Sequence, residues 1–200
     1  MGFGGPRKTA PGVKNGRVKK KNRHERTPNY WNTRQPELVV DRERPGRGYW
    51  HLLRKSDVVR FVGLLPDWEE LVVGLDAIVL AHGSSRLDGF YRDGVIAISA
   101  WDREMAQVWT VEGADEHSDV LDLVGVKREP HERGVLCTFS VDSARAFQLC
   151  HVFLHELGHH VDNMSSKGTC PDRGEPFAEA YAVRRGGAIW TRYCDTFGCP

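Results

Sequence analysis

Residues 150–164 read Cys-His-Val-Phe-Leu-His-Glu-Leu-Gly-His-His-Val-Asp-Asn-Met. Within them His155-Glu156-Leu157-Gly158-His159 is an HExxH pentapeptide. Residues four apart share one face of a helix, so both histidines can turn a ring nitrogen toward one metal ion. Glu156 follows about 100° further round, near enough to hold a metal-bound water and angled away from the ligand pair. Metal-assisted hydrolysis needs that arrangement.

The surrounding pattern gives the pentapeptide a phase. At about 100° per residue, His151, Asp162, Gln148 and His159 lie within about 40° of His155. The opposite side carries Phe147, Cys150, Phe153, Leu154, Leu157, Val161 and Met164. A polar, metal-capable stripe therefore backs onto an apolar one, in a helix expected from Asp142 or Ser143 to Met164. After a turn region over 165–174, Glu175 to Arg185 is expected to form a second helix closed by Gly186-Gly187. Glu175 and Glu179 share its face, and either can supply the third ligand that catalytic zinc takes beside water. Glu175 precedes Pro176, which suits an N-cap residue with proline at the first helical position. A metzincin-type third histidine would fall at position 165, where Ser165 stands. Asp162, one turn past His159, suits a hydrogen bond to a ligand or loop better than coordination.

Outward from this helix, Trp50 to Leu65 has apolar residues at helical spacing and ends at Pro66. Leu71–Leu80 reads as one or two strands. Asp93-Gly94 marks a tight hairpin ahead of Val95–Trp101, and that hairpin is the expected edge for pairing with an extended peptide. Strands are also expected near Val108–Val111, Val120–Val124 and Gly134–Phe139. The fold class is α+β: a small mixed or antiparallel sheet packed on an HExxH helix, then a second Glu-bearing helix, a zincin-like arrangement.

Charge divides the chain. Residues 1–30 hold nine Lys and Arg against Glu25 alone, so with a net charge of +1 the remainder carries −7. Rich in Gly, Pro, Lys and Arg, residues 1–35 bury too little to offset chain entropy and read as a disordered basic tail, with the HExxH-bearing folded domain over 36–200. The run Lys19-Lys20-Lys21-Asn22-Arg23 suits nucleic-acid phosphates or solubility. Tyr30 and Trp31 either stack on bases or mark where the folded body begins. An export signal and a membrane span are both absent from the pattern. Five cysteines, an odd set, then favour reduced thiols and a cytoplasmic protein, with Cys194 and Cys199 able to close a small loop.

His155-Glu-Leu-Gly-His-His-Val-Asp162 with Glu175-Pro-Phe-Ala-Glu-Ala-Tyr181 resembles the gluzincin zinc metallopeptidases, most closely catalytic domains of the anthrax lethal factor type. The likeness spans His155 to Tyr181 and leaves the preceding part of the chain untouched. It implies a zinc metalloendopeptidase acting on a protein or peptide, with Zn2+ held by His155, His159 and Glu175 and with Glu156 as general base. It implies that Glu179 orients a ligand histidine, an outer role that Asp162 and His151 also suit. Such relatives place an oxyanion-stabilising tyrosine between the two motifs, and residues 165–174 contain none. Tyr181, Tyr91, Arg173 and His160 are the candidate substitutes. The rival expectation is a nucleic-acid-associated protein that binds through its basic arm and keeps a structural zinc.

Overall fold

The computed structural model describes residues 28–165 and 173–200, together with a backbone pairing of β1 (Val13–Lys14) with β2 (Arg17–Val18). The basic run at 19–23 and Cys170 lie outside the described residues. The fold is α+β.

Its centre is a four-stranded sheet in the order β3 (Val39–Arg42), β5 (Ala77–Ala81), β7 (Val95–Ser99), β6 (Gly89–Arg92). The first three strands run parallel and β6 returns antiparallel to β7. The tight turn joining them puts Asp93 at φ 49° and Gly94 at φ 84°, the left-handed pair that a two-residue hairpin requires. Because β7 is flanked on both sides, the expected edge is corrected: the exposed rim of the hairpin is β6. A two-stranded pairing of β4 (Tyr49–Trp50) with β8 (Trp101–Asp102) and a three-stranded sheet complete the strands. The latter is ordered β10 (Lys127–His131), β11 (Gly134–Thr138), β9 (Ala106–Trp109).

Strand alternation decides the core. Ile78, Leu80, Ile96 and Ile98 face the main hydrophobic cluster with Phe61, Phe147, Phe153 and Leu157. Ala77, Val79, Ala81, Val95 and Ala97 face the other side, where Tyr30, Trp31 and Phe90 cover them. Trp31 stacks on Phe90 at 5.8 Å, and the Tyr30 hydroxyl donates to Asp41 at 3.0 Å. These two aromatics therefore close a sheet face, and residues from Asn29 onward are built into the folded body.

The helices around the sheet are α1 (Lys55–Val62), α2 (Trp68–Leu71), α3 (Val111–Glu116) and α4 (Ser118–Leu123). Helix α1 lies inside the expected Trp50–Leu65 stretch, with Arg54 as its N-cap, and Asp57 accepts the Arg54 N–H at 2.8 Å. Two expectations of strands fail. Residues 71–76 form a helix end and turn before β5, and Val120–Val124 lies in and after α4. In both, an apolar run too short to fix a period was read by its β-branched content, and tertiary packing chose otherwise.

The long helix is close to expectation but compound. Ser140 caps α5 (Val141–Phe147) by accepting the Ser143 N–H at 3.0 Å. The helix widens to a π-helical stretch over Gln148–Phe153 and continues as α6 (Leu154–Ser165). Helix α7 (Gly174–Phe197) runs on through Gly186-Gly187, correcting the expected stop at Arg185. Buried Ala178, Ala182, Gly186, Ile189 and Tyr193 form one continuous stripe, so packing overrides the usual glycine termination signal. Glu175 sits in the first turn with Arg173 as the cap, so it is not the N-cap residue; Pro176 is tolerated there because early helical N–H groups lack intrahelical partners. A disulfide joins Cys194 to Cys199 at the far end, correcting the reduced-thiol expectation for that pair, while Cys137 and Cys150 are buried free thiols. Among the described residues no helix is long and apolar enough to cross a membrane.

The paired glycines separate two effects. A Cβ on Gly186 would lie 2.6 Å from the Cys150 carbonyl oxygen, whereas one on Gly187 meets nothing within 4 Å. Gly186→Ala is expected to destabilise by about 1–3 kcal/mol through overpacking. Gly187→Ala should stabilise by about 0.5–1 kcal/mol through backbone entropy. Urea unfolding of both variants checks the opposite signs.

Candidate metal centre

Helices α6 and α7 meet at backbone distance. A Cβ on Gly158 would stand 2.8 Å from the Ala178 Cα, so the glycine between the two histidines admits the neighbouring helix. The carboxylates of α7 then arrive over the histidines of α6. The Nε2 atoms of His155 and His159 are 3.2 Å apart. Glu175 places Oε2 3.1 Å from the first and Oε1 3.5 Å from the second. Two imidazoles and one carboxylate thus converge on a common point, and this trio can hold a metal ion. Nitrogen and oxygen donors of this kind suit a borderline divalent ion.

Glu179 approaches from behind. Its Oε2 accepts from His155 Nδ1 at 3.2 Å, which assigns the proton to Nδ1 and leaves the Nε2 lone pair facing Glu175 and His159. The Glu175 side chain is 79% exposed and that of Glu179 is 31% exposed, so Glu175 faces the opening and Glu179 is packed behind the ring. Burial would raise the Glu179 carboxyl, but His117, His155 and His151 around it hold it well below the usual carboxylate range. The His155 ring is likewise held above its ordinary value, because Glu179, Glu156 and Glu175 outweigh its burial. The His159 ring lies below its ordinary value, through burial and then the neighbouring His155.

Glu156 is buried under the edge strand. It accepts the Tyr91 N–H, and a Cβ on Gly89 would come within 3.1 Å of its Oε1. Glycine at 89 therefore lets the strand lie directly on the carboxylate. Burial, reinforced by the nearby Glu175, pushes the Glu156 carboxyl up to about 7. Glu156, His155, His159 and Glu175 open together into a cleft of about 440 Å³ whose upper wall is β6.

The outer residues brace this arrangement. Asp162 accepts from the backbone N–H groups of Arg173 and Gly174 at 2.7 and 3.1 Å, and from Arg173 Nε at 2.6 Å. It ties the end of α6 to the start of α7 and so fixes where Glu175 emerges. His151 lies 3.7 Å from Glu179 through Nε2. Of the four candidate oxyanion donors, Tyr91 bonds His160 at 3.2 Å and Asn163 at 3.0 Å. His160 also meets the Val73 carbonyl at 3.1 Å. Arg173 is bound to Asp162 and lies 3.6 Å over Phe177, and Tyr181 is buried in the helix interface below Gly158. Tyr91, His160 and Arg173 are thus engaged around the cleft, while the Tyr181 hydroxyl is buried without a hydrogen-bond partner among the described residues.

Sequence reasoning passed over His117 and Gly89. His117 caps the end of α3, 34 residues before His151, and no motif links them; only the fold brings its ring to 5.1 Å from His151. Gly89 carried a signal, being a glycine at the first position of a strand, which marks close backbone approach. No family model matches the chain, and searches of curated proteins and solved structures return no match.

Two measurements test the geometry. In the metal-free protein the Glu156 carboxyl should titrate near 7, protonated below and ionised above, and metal loading should lower that midpoint; carbon-13 NMR of labelled glutamate reads it. A midpoint of an ordinary glutamate would contradict the burial argument. Asp162→Ala should weaken metal affinity by about 10–100-fold, the usual cost of losing a group that positions ligands, measured by competition with a chromophoric chelator.

Proposed function

We propose that this chain is a zinc-dependent metalloendopeptidase of gluzincin type, with a zincin-like arrangement of edge strand, HExxH helix and glutamate helix. One observation carries the reading. The convergent His155, His159 and Glu175 lie in the same cleft as a buried carboxylate, Glu156, beneath an exposed strand edge. A structural metal site has no use for a proton acceptor of that kind, whereas hydrolysis requires one.

Zinc held by the trio would supply Lewis acidity, bringing the pKa of a water toward about 7 and polarising a carbonyl. The protein's own groups do the rest. Glu156 takes the proton of the attacking water and returns it to the leaving amine nitrogen. With metal loading lowering its midpoint below the metal-free value, the carboxylate would be ionised at neutral pH and able to accept that proton. The Tyr91 N–H holds the carboxylate in position. Glu179 keeps the His155 ring in the tautomer that presents Nε2.

Strand β6 aligns the substrate. Arg92 and Val95 flank the two-residue turn, so hydrogen-bonded pairs alternate back from them along the antiparallel ladder. The main-chain groups of Gly89 and the Tyr91 carbonyl consequently point to the outer side, where an extended peptide can add as a further strand, while the Tyr91 N–H is taken by Glu156. The chemistry favours an unfolded segment or exposed loop of a protein as substrate.

Glu156→Gln should retain bound zinc and lose about 10²–10⁴-fold in kcat for peptide cleavage, the usual worth of a positioned general base. Metal content by mass spectrometry and cleavage of casein or a peptide library give the two readouts. Undiminished cleavage by the variant would end the proposal.

A further inference from the structure

We propose a second divalent-cation site in this chain, formed by His117, His151 and Glu179 on the side of Glu179 away from Glu175. The Nε2 atoms of His117 and His151 each lie 3.7 Å from the same carboxylate oxygen, Glu179 Oε2. Ligand atoms from all three fall within 4.8 Å of one another. Donors at bond lengths of about 2.0–2.2 Å around a tetrahedral ion stand about 3.3–3.6 Å apart, so the trio needs only a slight contraction to close on a cation. The first trio, at 3.1 to 3.5 Å, has the same composition and nearly the same spacing.

Hydrogen bonding sets the donors correctly. His117 Nδ1 lies 2.9 Å from the Gly113 carbonyl, to which it donates, and Nε2 is left with a lone pair directed at Glu179. His151 is 5% exposed, and its Nδ1 is buried with no hydrogen-bond partner among the described residues. Its Nε2 stops short of hydrogen-bond distance from the Glu179 carboxylate, at 3.7 Å, a gap that an ion between the two would bridge. The rings of His117 and His151 stand at 84° to each other, so their lone pairs approach from different directions, as two ligands of one ion do. Both line a cavity of about 320 Å³ that also touches His155 and Glu156.

Glu179 links the two sites through one atom: Oε2 accepts from His155 Nδ1 and would also ligate the second ion. Filling the second site would draw charge from that oxygen and alter how firmly His155 is held. The inference stands on metal binding alone and does not depend on peptide hydrolysis.

The test is a metal count on the full chain after equilibrium dialysis against zinc, read by inductively coupled plasma mass spectrometry. Wild type should bind two equivalents, His117→Ala one, His159→Ala one, and the double variant none. A wild-type count of one, unchanged in His117→Ala, would mean that His117 and Glu179 form only an imidazolium–carboxylate pair and would overturn the site. Two equivalents retained by His117→Ala would overturn it equally.

Discussion

Everything at the centre of this molecule depends on how closely two helices can approach. Gly158 on α6 lies against the Ala178 backbone, and Gly186 on α7 lies against the Cys150 carbonyl. Each contact occupies the space of a side chain that is not there. A Cβ at either point would stand 2.6–2.8 Å from the facing backbone, inside van der Waals contact, so the helices would have to part. Glu175 and Glu179 would then stand away from the histidines they meet. The chemistry of the site thus begins in two positions that have no functional group at all.

Around that interface, polar groups are buried in pairs that satisfy one another. Asp162 takes the first N–H groups of the α7 segment, Glu179 takes the Nδ1 of His155, and His160 lies between Tyr91 and Val73. Charged groups are costly to bury unless paired, and the density of pairing here explains why so many sit in one interior. The His151 Nδ1 and the Tyr181 hydroxyl have no such partner among the described residues, and a third departure is Glu156. It has a backbone donor on one side and a cleft on the other, and its pKa climbs accordingly.

The HExxH stripe and its apolar back were legible because periodicity and ligand spacing coincide over a long helix: Phe147, Phe153, Leu154 and Leu157 are all buried. The hairpin at Asp93-Gly94 was legible because its backbone conformation restricts the residue types. Other features depend on long-range packing. Gly186-Gly187 looks like a terminator until one sees that Gly186 fills a gap against a neighbouring helix. Val120–Val124 has strand composition and a helical fate. The π-helical widening at Gln148–Phe153 leaves no local mark, yet it sets the bearing of Gln148, which donates to the Ser99 carbonyl at 2.8 Å. His117 is the plainest case, since a lone histidine far from a motif has no sequence context that announces its neighbours.

The tie between Tyr91 on β6 and His160 with Asn163 on α6 has a mechanical meaning. It spans the gap between the strand above the cleft and the helix below it, so the height of the opening is fixed before anything enters. For the substrate proposed above, that rim would act as a gauge: an extended polypeptide can offer its main chain to β6, whereas a helix or a packed domain has its backbone groups already paired. For a hydrolase of the proposed kind, selection would start with the shape of the incoming backbone, and the folded state of a target protein would be its first protection.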